Sequence, residues 1–312
     1  MSASVERLPL SIRGSDNYSF HRVQLIGLLF VLPVVLGTLI LNVLPTFATF
    51  GISFTSYDML TAPEWVGLGN YERLLADEFA GQALRNTIVY TAGTVFLGIP
   101  AGLGLALLVN NPLPGIRLIR LAYIVPYVSS TVAIAMVWQW ILNGKLGLLN
   151  QFLKMLGIEG QSWLTNPNIA MLSVIGVSVW QGLGYNMLLF LAGLQSIPEA
   201  LYEAAKIDGG GARSRLWHIT LPLLSPTTFF VLIITLISSF QVFSIIYIFT
   251  FTSGAAGRLR SLDVWVYYLW QNIFSFNRAG YAAAMAFGLF VVIAAVTYIQ
   301  WRASKLWVFY GE

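Results

Sequence analysis

Residues 203–222 read EAAKIDGGGARSRLWHITLP and lie between two of the most apolar stretches of the 312-residue chain. Five charged side chains fall within the first thirteen positions, Gly209, Gly210 and Gly211 follow one another, and Leu221-Pro222 closes the segment. Ser196-Ile197-Pro198 ends the preceding apolar run, and Pro198 suits the first turn of a new helix carrying Glu199 and Glu203. Ala204 and Ala205 give that helix a small face, and the glycines let the chain reverse where a side chain would be strained. A second short amphipathic helix is expected over 213–220, with Leu221-Pro222 returning the chain to the apolar phase. The segment therefore reads as a hairpin lever joined to a membrane core.

Composition supports that core. Charged residues make up 10% of the chain and hydrophobic ones 57%, whereas a soluble domain carries about 25% charged residues. Ten tryptophans suit rings at a membrane interface. With no cysteine and two distant histidines, His21 and His218, thiolate and histidine metal sites are excluded. No basic stripe interleaved with aromatics occurs, so the net charge of +4 points to topology and headgroups and not to nucleic acid.

A spanning helix needs about 20 predominantly apolar residues. Uncharged runs of that length predict six, at 23–47, 86–110, 121–142, 169–195, 225–250 and 280–301. The first is too long for a signal peptide and lacks a small-residue cleavage site, so it is read as a retained helix. Residues 264–276, VWVYYLWQNIFSF, are too short to cross and are expected at the interface or over the outer ends of the spans. Gly98 and Gly102 form a small-xxx-small pair for close helix approach, and Trp138, Gln139 and Trp140 read as an aromatic belt. The organisation is a tail (1–22), a first helix with external loop (23–84), a five-helix core (85–302) containing the 199–222 hairpin, and a second tail (303–312). Six spans put both termini on one side; taking that side as cytoplasmic places ten basic residues inside and seven outside, slight support for the orientation.

Glu203-Ala204-Ala205, three residues, Gly209, nine residues, then Ile219-x-Leu221-Pro222 resembles the EAA loop of ABC importer permeases. The stretches PEWVGLGNYERLL (63–75), VWQGLGYNMLLFLAGLQSIPEALYEAAKIDG (179–209) and SFQVFSIIYIFT (239–250) are similar to the carbohydrate-uptake branch, the MalF/UgpA-like half of a heterodimeric permease. One departure is TSGAAGRLRSLD (252–263), where the family commonly has a Gly-Gly-Pro turn. The resemblance implies an all-α membrane protein of the MetI/MalF-like type I importer fold in the bacterial or archaeal cytoplasmic membrane. Its implied partners are a second homologous permease, two copies of a cytoplasmic ATPase, an extracytoplasmic substrate-binding protein and a sugar-like solute. The implied docking residues for the ATPase are Glu203, Ala204, Ala205, Gly209, Ile219, Leu221 and Pro222.

The spans contain no charged residue, leaving no intramembrane carboxylate for a proton relay. Uncharged polar groups recur instead. Ser178, Gln181, Gly182 and Tyr185 fall at i, i+3, i+4 and i+7 of the fourth span, and Thr235, Ser238, Ser239 and Val242 repeat that spacing on the fifth. Hydroxyls, an amide and an aromatic face suit a neutral polyhydroxylated ligand; the same groups also serve plain helix packing. Asn186, Gln241, Ser244 and Tyr247 are read as off these faces, in packing or interface roles. The segment 58–75 is expected to fold outside the membrane, either as a contact for a substrate-binding protein or as a simple loop.

No GxxxxGK[ST] phosphate loop is present, so ATP and Mg are assigned to the partner ATPase and no cofactor to this chain. An ion-coupled secondary transporter is the alternative reading. An intramembrane enzyme would need a Ser-His, paired-carboxylate or metal constellation, and the spans hold none.

Overall fold

A computed structural model describes residues 20–111, 114–252 and 260–309. The expected tail 1–22 and the stretch 253–259 of the divergent loop therefore fall almost wholly outside the described residues, as does the end of the 303–312 tail. The chain divides into two compact units at Gly51/Ile52. Residues 52–84 thus fold with the core, and the break expected at 84/85 lies at 51/52 instead.

The first unit is one helical rod: α1 (Phe20–Thr38), a π turn (Leu39–Val43) and α2 (Leu44–Ile52). Thr38, Thr46 and Thr49 each donate a hydroxyl to the carbonyl four residues earlier, 2.7–2.9 Å away, so the apolar rod leaves no threonine proton unpaired.

The second unit begins with a two-residue ribbon, β1 (Thr55–Ser56) against β2 (Glu64–Trp65), followed by α3 (Gly69–Ala76) and α4 (Glu78–Val109). α5 (Ile116–Val128), α6 (Thr131–Ile141), α7 (Leu148–Met155) and α8 (Ala170–Gln195) come next. The charged hairpin is α9 (Glu199–Ile207), α10 (Ala212–Arg215), a π turn (Leu216–Thr220) and α11 (Leu221–Leu223). α12 (Ser225–Phe240), α13 (Ser244–Thr252), a 3-10 turn (Arg260–Leu262), α14 (Trp265–Phe274) and α15 (Ala279–Trp307) complete it.

Among the described residues, five apolar helices are long enough to cross a membrane, with 225–251 counted as one, and a sixth crossing arises if α5 and α6 are taken together. They differ from the expected third span, because the pair bends by 101° at Ser129-Ser130, just beyond Pro126. The expected fifth span is also interrupted, at Gln241–Phe243 between α12 and α13. α4 starts eight residues before the expected 86 because Asp77 caps it, accepting from the Phe79 and Ala80 amides at 2.9 and 3.3 Å.

α4 and α8 run side by side in the same direction. A Cβ on Gly102 would lie 2.5 Å from Asn186 Cβ, while one on Gly98 would meet only ordinary contacts, so the close approach falls at the second member of the pair. Three apolar clusters fill the unit. One, around Phe190, Met187 and Leu224, seats the hairpin end; one, around Phe249 and Ile246, lies towards the opposite end of α4 and α8; one, around Trp265 and Met285, joins α14 to α4 and α15. The helix expected over 264–276 is α14, and it is packed into the unit with Trp265, Tyr267 and Tyr268 buried.

Asp77 is the hub of the end opposite the hairpin. Besides capping α4, it accepts from Tyr281 and Tyr268 hydroxyls at 2.6 and 2.8 Å. At the neighbouring Gly280, a Cβ would overlap the Thr55 carbonyl oxygen, so the first turn of α15 needs glycine there. Burial raises the Asp77 carboxyl, but the tyrosine hydroxyls and the two amides outweigh it and leave the group below the ordinary carboxylate value. With the folded value depressed, its stabilisation is present at neutral pH and is lost only as pH falls through the acidic carboxylate range. Asp77→Ala removes a cap and two hydrogen bonds to a charge. It is expected to cost about 2–3 kcal/mol given partial exposure, read as a lower unfolding temperature of the detergent-solubilised protein at pH 7. The difference from wild type should shrink in acid; an unchanged midpoint at pH 7 would remove Asp77 from this role.

Candidate functional site

Both helix breaks meet at one cavity of about 390 Å3 within the second unit. α4 contributes Tyr90, Thr94 and Gly98, and α8 contributes Ser178, Gln181, Gly182, Tyr185 and Asn186. α12 supplies Thr235, Ser238 and Ser239, while Tyr127, Thr131, Val242 and Ser244 come from the two breaks or their edges. Irregular backbone at membrane depth is tolerated where it is buried in protein or lines a polar cavity, because freed N–H and C=O groups need partners. The first turns of α6 and α13 open here, with Thr131 and Ser244 presented by them. No Asp, Glu, Lys, Arg or His lines the cavity among the described residues.

Each wall is held by specific bonds. Gln181 donates through Nε2 to Thr131 Oγ1 at 3.2 Å, tying α8 to the start of α6 and leaving the amide oxygen open to another donor. Tyr127 and Tyr185 stack with ring centroids 4.6 Å apart and planes 13° from parallel, so one face of Tyr185 is already covered. Thr94 and Ser239 share a hydroxyl–hydroxyl bond of 2.9 Å across the α4–α12 contact. Ser238 donates to the Thr235 carbonyl at 3.0 Å, keeping its oxygen as an acceptor. Asn186 donates to the Gly98 carbonyl at 3.2 Å. The arrangement offers hydroxyls, one amide and a paired aromatic platform, a surface for binding and passing a neutral polar molecule.

At the hairpin, Gly209 has φ +76°, the left-handed conformation that a helix-ending glycine adopts. Its amide donates to the Lys206 carbonyl at 3.1 Å and that of Gly210 to the Ala205 carbonyl at 2.7 Å, the paired bonds of a Schellman ending. Pro198 sits just before α9 and not within its first turn, and the second arm runs from Ala212 through the π turn to Leu223 without interruption. Leu221-Pro222 therefore continues that arm and does not terminate it. Tyr202 on α9 bonds Thr220 at 3.0 Å, while Tyr202, Ile219 and Leu223 pack onto the cluster of Phe190, Leu194 and Leu224. The two arms are thereby bolted to each other and to α4, α8 and α12.

Residues 98–304 match the family described as binding-protein-dependent transport system inner membrane component. The chain belongs to this family. It is 37% identical over 295 residues to the probable ABC transporter permease protein YesP of Bacillus subtilis, covering 94% of each chain. It is also 34% identical to the arabinooligosaccharides transport system permease protein AraP of the same organism, over 91% of this chain and 90% of that one. A crystal structure of a bacterial alginate ABC transporter in complex with alginate pentasaccharide-bound periplasmic protein shares the fold, with TM-score 0.78 at 23% identity over 91% and 95% of the two chains. The protein is thus a multi-pass permease, a transport component and not an enzyme, and the ion-coupled alternative finds no support.

In this permease, Ser178, Gln181, Gly182, Tyr185, Thr235, Ser238, Ser239 and Val242 all line the same cavity. Val242 does so from the break and not from the helical face assumed for it, since α12 ends at Phe240. Asn186 and Ser244 also line it, against the expectation that they lie off the faces; Gln241 and Tyr247 do not. Asn186 is at i+8 from Ser178, a position on the same helical face that the spacing already contained. Tyr90, Thr94, Tyr127 and Thr131 were missed because they belong to other helices. Trp138 packs edge-on against Trp180 at 5.3 Å, and of the expected belt pair only Trp140 is exposed.

Glu203, Ala204 and Gly209 are exposed at the hairpin tip, while Ala205, Ile219, Leu221 and Pro222 are half-buried against the body. Two apolar side chains of the hairpin are also exposed, Ile207 on α9 (86%) and Trp217 in the π turn (59%). Their signal in the sequence was an isoleucine and a tryptophan inside an otherwise charged segment.

Proposed function

We propose that this permease is one of two homologous membrane subunits of an ABC importer and passes a sugar or sugar-like solute received from a substrate-binding protein. The hairpin 199–222 docks in a groove of one of two cytoplasmic ATPase copies, which hold ATP and Mg, and both termini lie on that cytoplasmic side. The uncharged cavity at the meeting of two broken helices carries this reading. Its lining has no cation to meet a phosphate, which favours a neutral oligosaccharide, glycoside or polyol over a glycerol phosphate ester. The names of relatives such as the arabinooligosaccharide permease AraP agree with that class. Glu203, Ile207 and Trp217 form the exposed docking surface, and the π turn transmits its displacement to α12.

The test is uptake by the assembled transporter in vesicles. Vanadate should block it and a protonophore should leave it intact while ATP is held constant. Gln181→Ala and Tyr185→Ala are each expected to lower uptake roughly tenfold with assembly retained, as a lost buried hydrogen bond costs about 1–2 kcal/mol. Tyr127→Ala should resemble Tyr185→Ala, because the two rings form one platform. Normal uptake in all three variants would make the cavity a packing feature.

A further inference from the structure

α7 has a role that neither the cavity nor the hairpin uses. On this helix Leu148, Phe152 and Met155 fall at i, i+4 and i+7, one face, with Leu156 at its C-cap, and all are exposed, Met155 to 83%. Leu146 and Ile158 extend the patch on either side. The opposite face is fixed to the protein. Asn150 donates to the carbonyls of Gly144 and Gln161 at 2.8 and 2.9 Å, and accepts from the Gln161 amide and Trp163 Nε1 at 3.1 and 2.7 Å. Leu149 packs onto the cluster containing Leu142 and Leu164. The apolar face therefore cannot roll inward, and the helix presents it by construction.

We propose that α7 lies in the headgroup–acyl boundary of the leaflet at the end opposite the hairpin, with its apolar face in lipid and Lys145 and Lys154 among phospholipid phosphates. Three observations select lipid over a protein partner. The patch follows in sequence on the exposed apolar residues Met136, Val137 and Trp140 of α6, a helix of the broken α5–α6 span. α7 lies in the connection between the end of α6 at Ile141 and the start of α8 at Ala170, on the side where both apolar helices end. From Asn143 to Ile158 there are two lysines and no carboxylate, the charge pattern of an interfacial helix facing phosphate. Such helices bury their apolar face about 5–10 Å into the boundary. Anchored there, α7 fixes the outer end of α6, whose first residue Thr131 lines the cavity.

The absence of cysteine makes the test direct. Single cysteines at Phe152, Met155 or Gln151 are labelled with an environment-sensitive nitrobenzoxadiazole dye. The complete transporter, with its other subunits cysteine-free, is reconstituted in vesicles of phosphatidylcholine and phosphatidylglycerol. Emission at 152 and 155 should be blue-shifted and quenched several-fold more by phospholipids nitroxide-labelled near the headgroup than by those labelled at the acyl end; 151 should show neither effect. Lys145→Glu with Lys154→Glu should weaken the quenching at 152. Blue-shifted but unquenched emission would assign the face to a protein partner, and water-like emission would leave it in solvent; either overturns the proposal. Equal quenching in the lysine variant would overturn the phosphate contact. None of these readouts depends on the transported solute.

Discussion

Gly209→Leu is expected to release the ATPase from the purified complex, while Gly209→Asn keeps most of it bound. The reason lies in the backbone. At φ +76° an ordinary side chain pays about 1–2 kcal/mol for the left-handed conformation, whereas asparagine tolerates it better. Space within the chain is not the obstacle, because a Cβ at Gly209 would meet nothing within 4 Å. The damage comes from loss of the paired bonds to Ala205 and Lys206, which set where α9 stops and how the second arm leaves. Once the turn opens, Ile207 and Glu203 no longer share one surface with Trp217. Leucine also adds a branched side chain at the exposed tip, where the ATPase groove is proposed to close. Gly209→Asp should fall between the other two variants, since aspartate also visits the left-handed region but adds charge. Glu203→Ala should be milder than Gly209→Leu, because one exposed ion pair is worth about 0.2–1 kcal/mol. ATPase recovered with the tagged permease, alongside permease-stimulated hydrolysis, decides the matter. Wild-type recovery and stimulation with Gly209→Leu would sink the docking role of this turn.

How far the sequence reaches is clearest where it stopped. Long apolar runs locate both ends of α8 and the start of α15 to within one residue, since the bilayer demands length and apolarity, whereas α15 runs on to Trp307, past the expected end at 301. Charges mark the limits poorly. Arg85 looked like a boundary, yet α4 continues past it to the Asp77 cap, because a helix can leave the apolar phase without ending. Of the two breaks, the first carries a sequence signal in Pro126, a residue type that kinks or ends a helix, and the second carries none. Ser129-Ser130 and Gln241–Phe243 contain no glycine or proline, and helical periodicity runs through both. Beside them lie partners far away in sequence, Gln181 on Thr131 at the start of α6 and Thr94 on Ser239 near the end of α12. A stripe on one helix can be read by counting; a cavity walled by four helices needs their pairing. This is why Gln181 and Tyr185 were found and Tyr127 and Thr94 were not.

The pairing of α5 with α8 rests on one glycine, and Gly184→Ala should be the most damaging single methyl in the cavity wall. Gly184 is buried on α8, between Gly182 and Tyr185 of the cavity wall. A Cβ built there would overlap the Tyr123 carbonyl oxygen and lie 3.0 Å from the Ile124 Cα, so the obstruction is the backbone of α5 and not a side chain that can turn away. Contrast Gly98, where the nearest neighbours of a Cβ are 3.6 Å away and alanine should be accommodated. Relief at 184 requires α5 to move off α8 as a unit. That movement would separate Tyr127 from Tyr185, lengthen the Gln181–Thr131 bond and shift the bend at Ser129-Ser130. Adding a methylene to a packed core costs about 1–3 kcal/mol when side chains can adjust, and a backbone overlap should exceed that range. Gly184→Ala is therefore expected to abolish uptake and lower the yield of assembled complex, with Gly98→Ala near wild type in both. A substitution that merely unfolded the chain would also empty the membrane fraction. The discriminating measurement is therefore a disulfide between Tyr127→Cys and Tyr185→Cys, made in the cysteine-free chain. It should form readily in the parent and slow sharply once Gly184→Ala is added. Unchanged cross-linking together with normal uptake would show that α5 does not rest on Gly184.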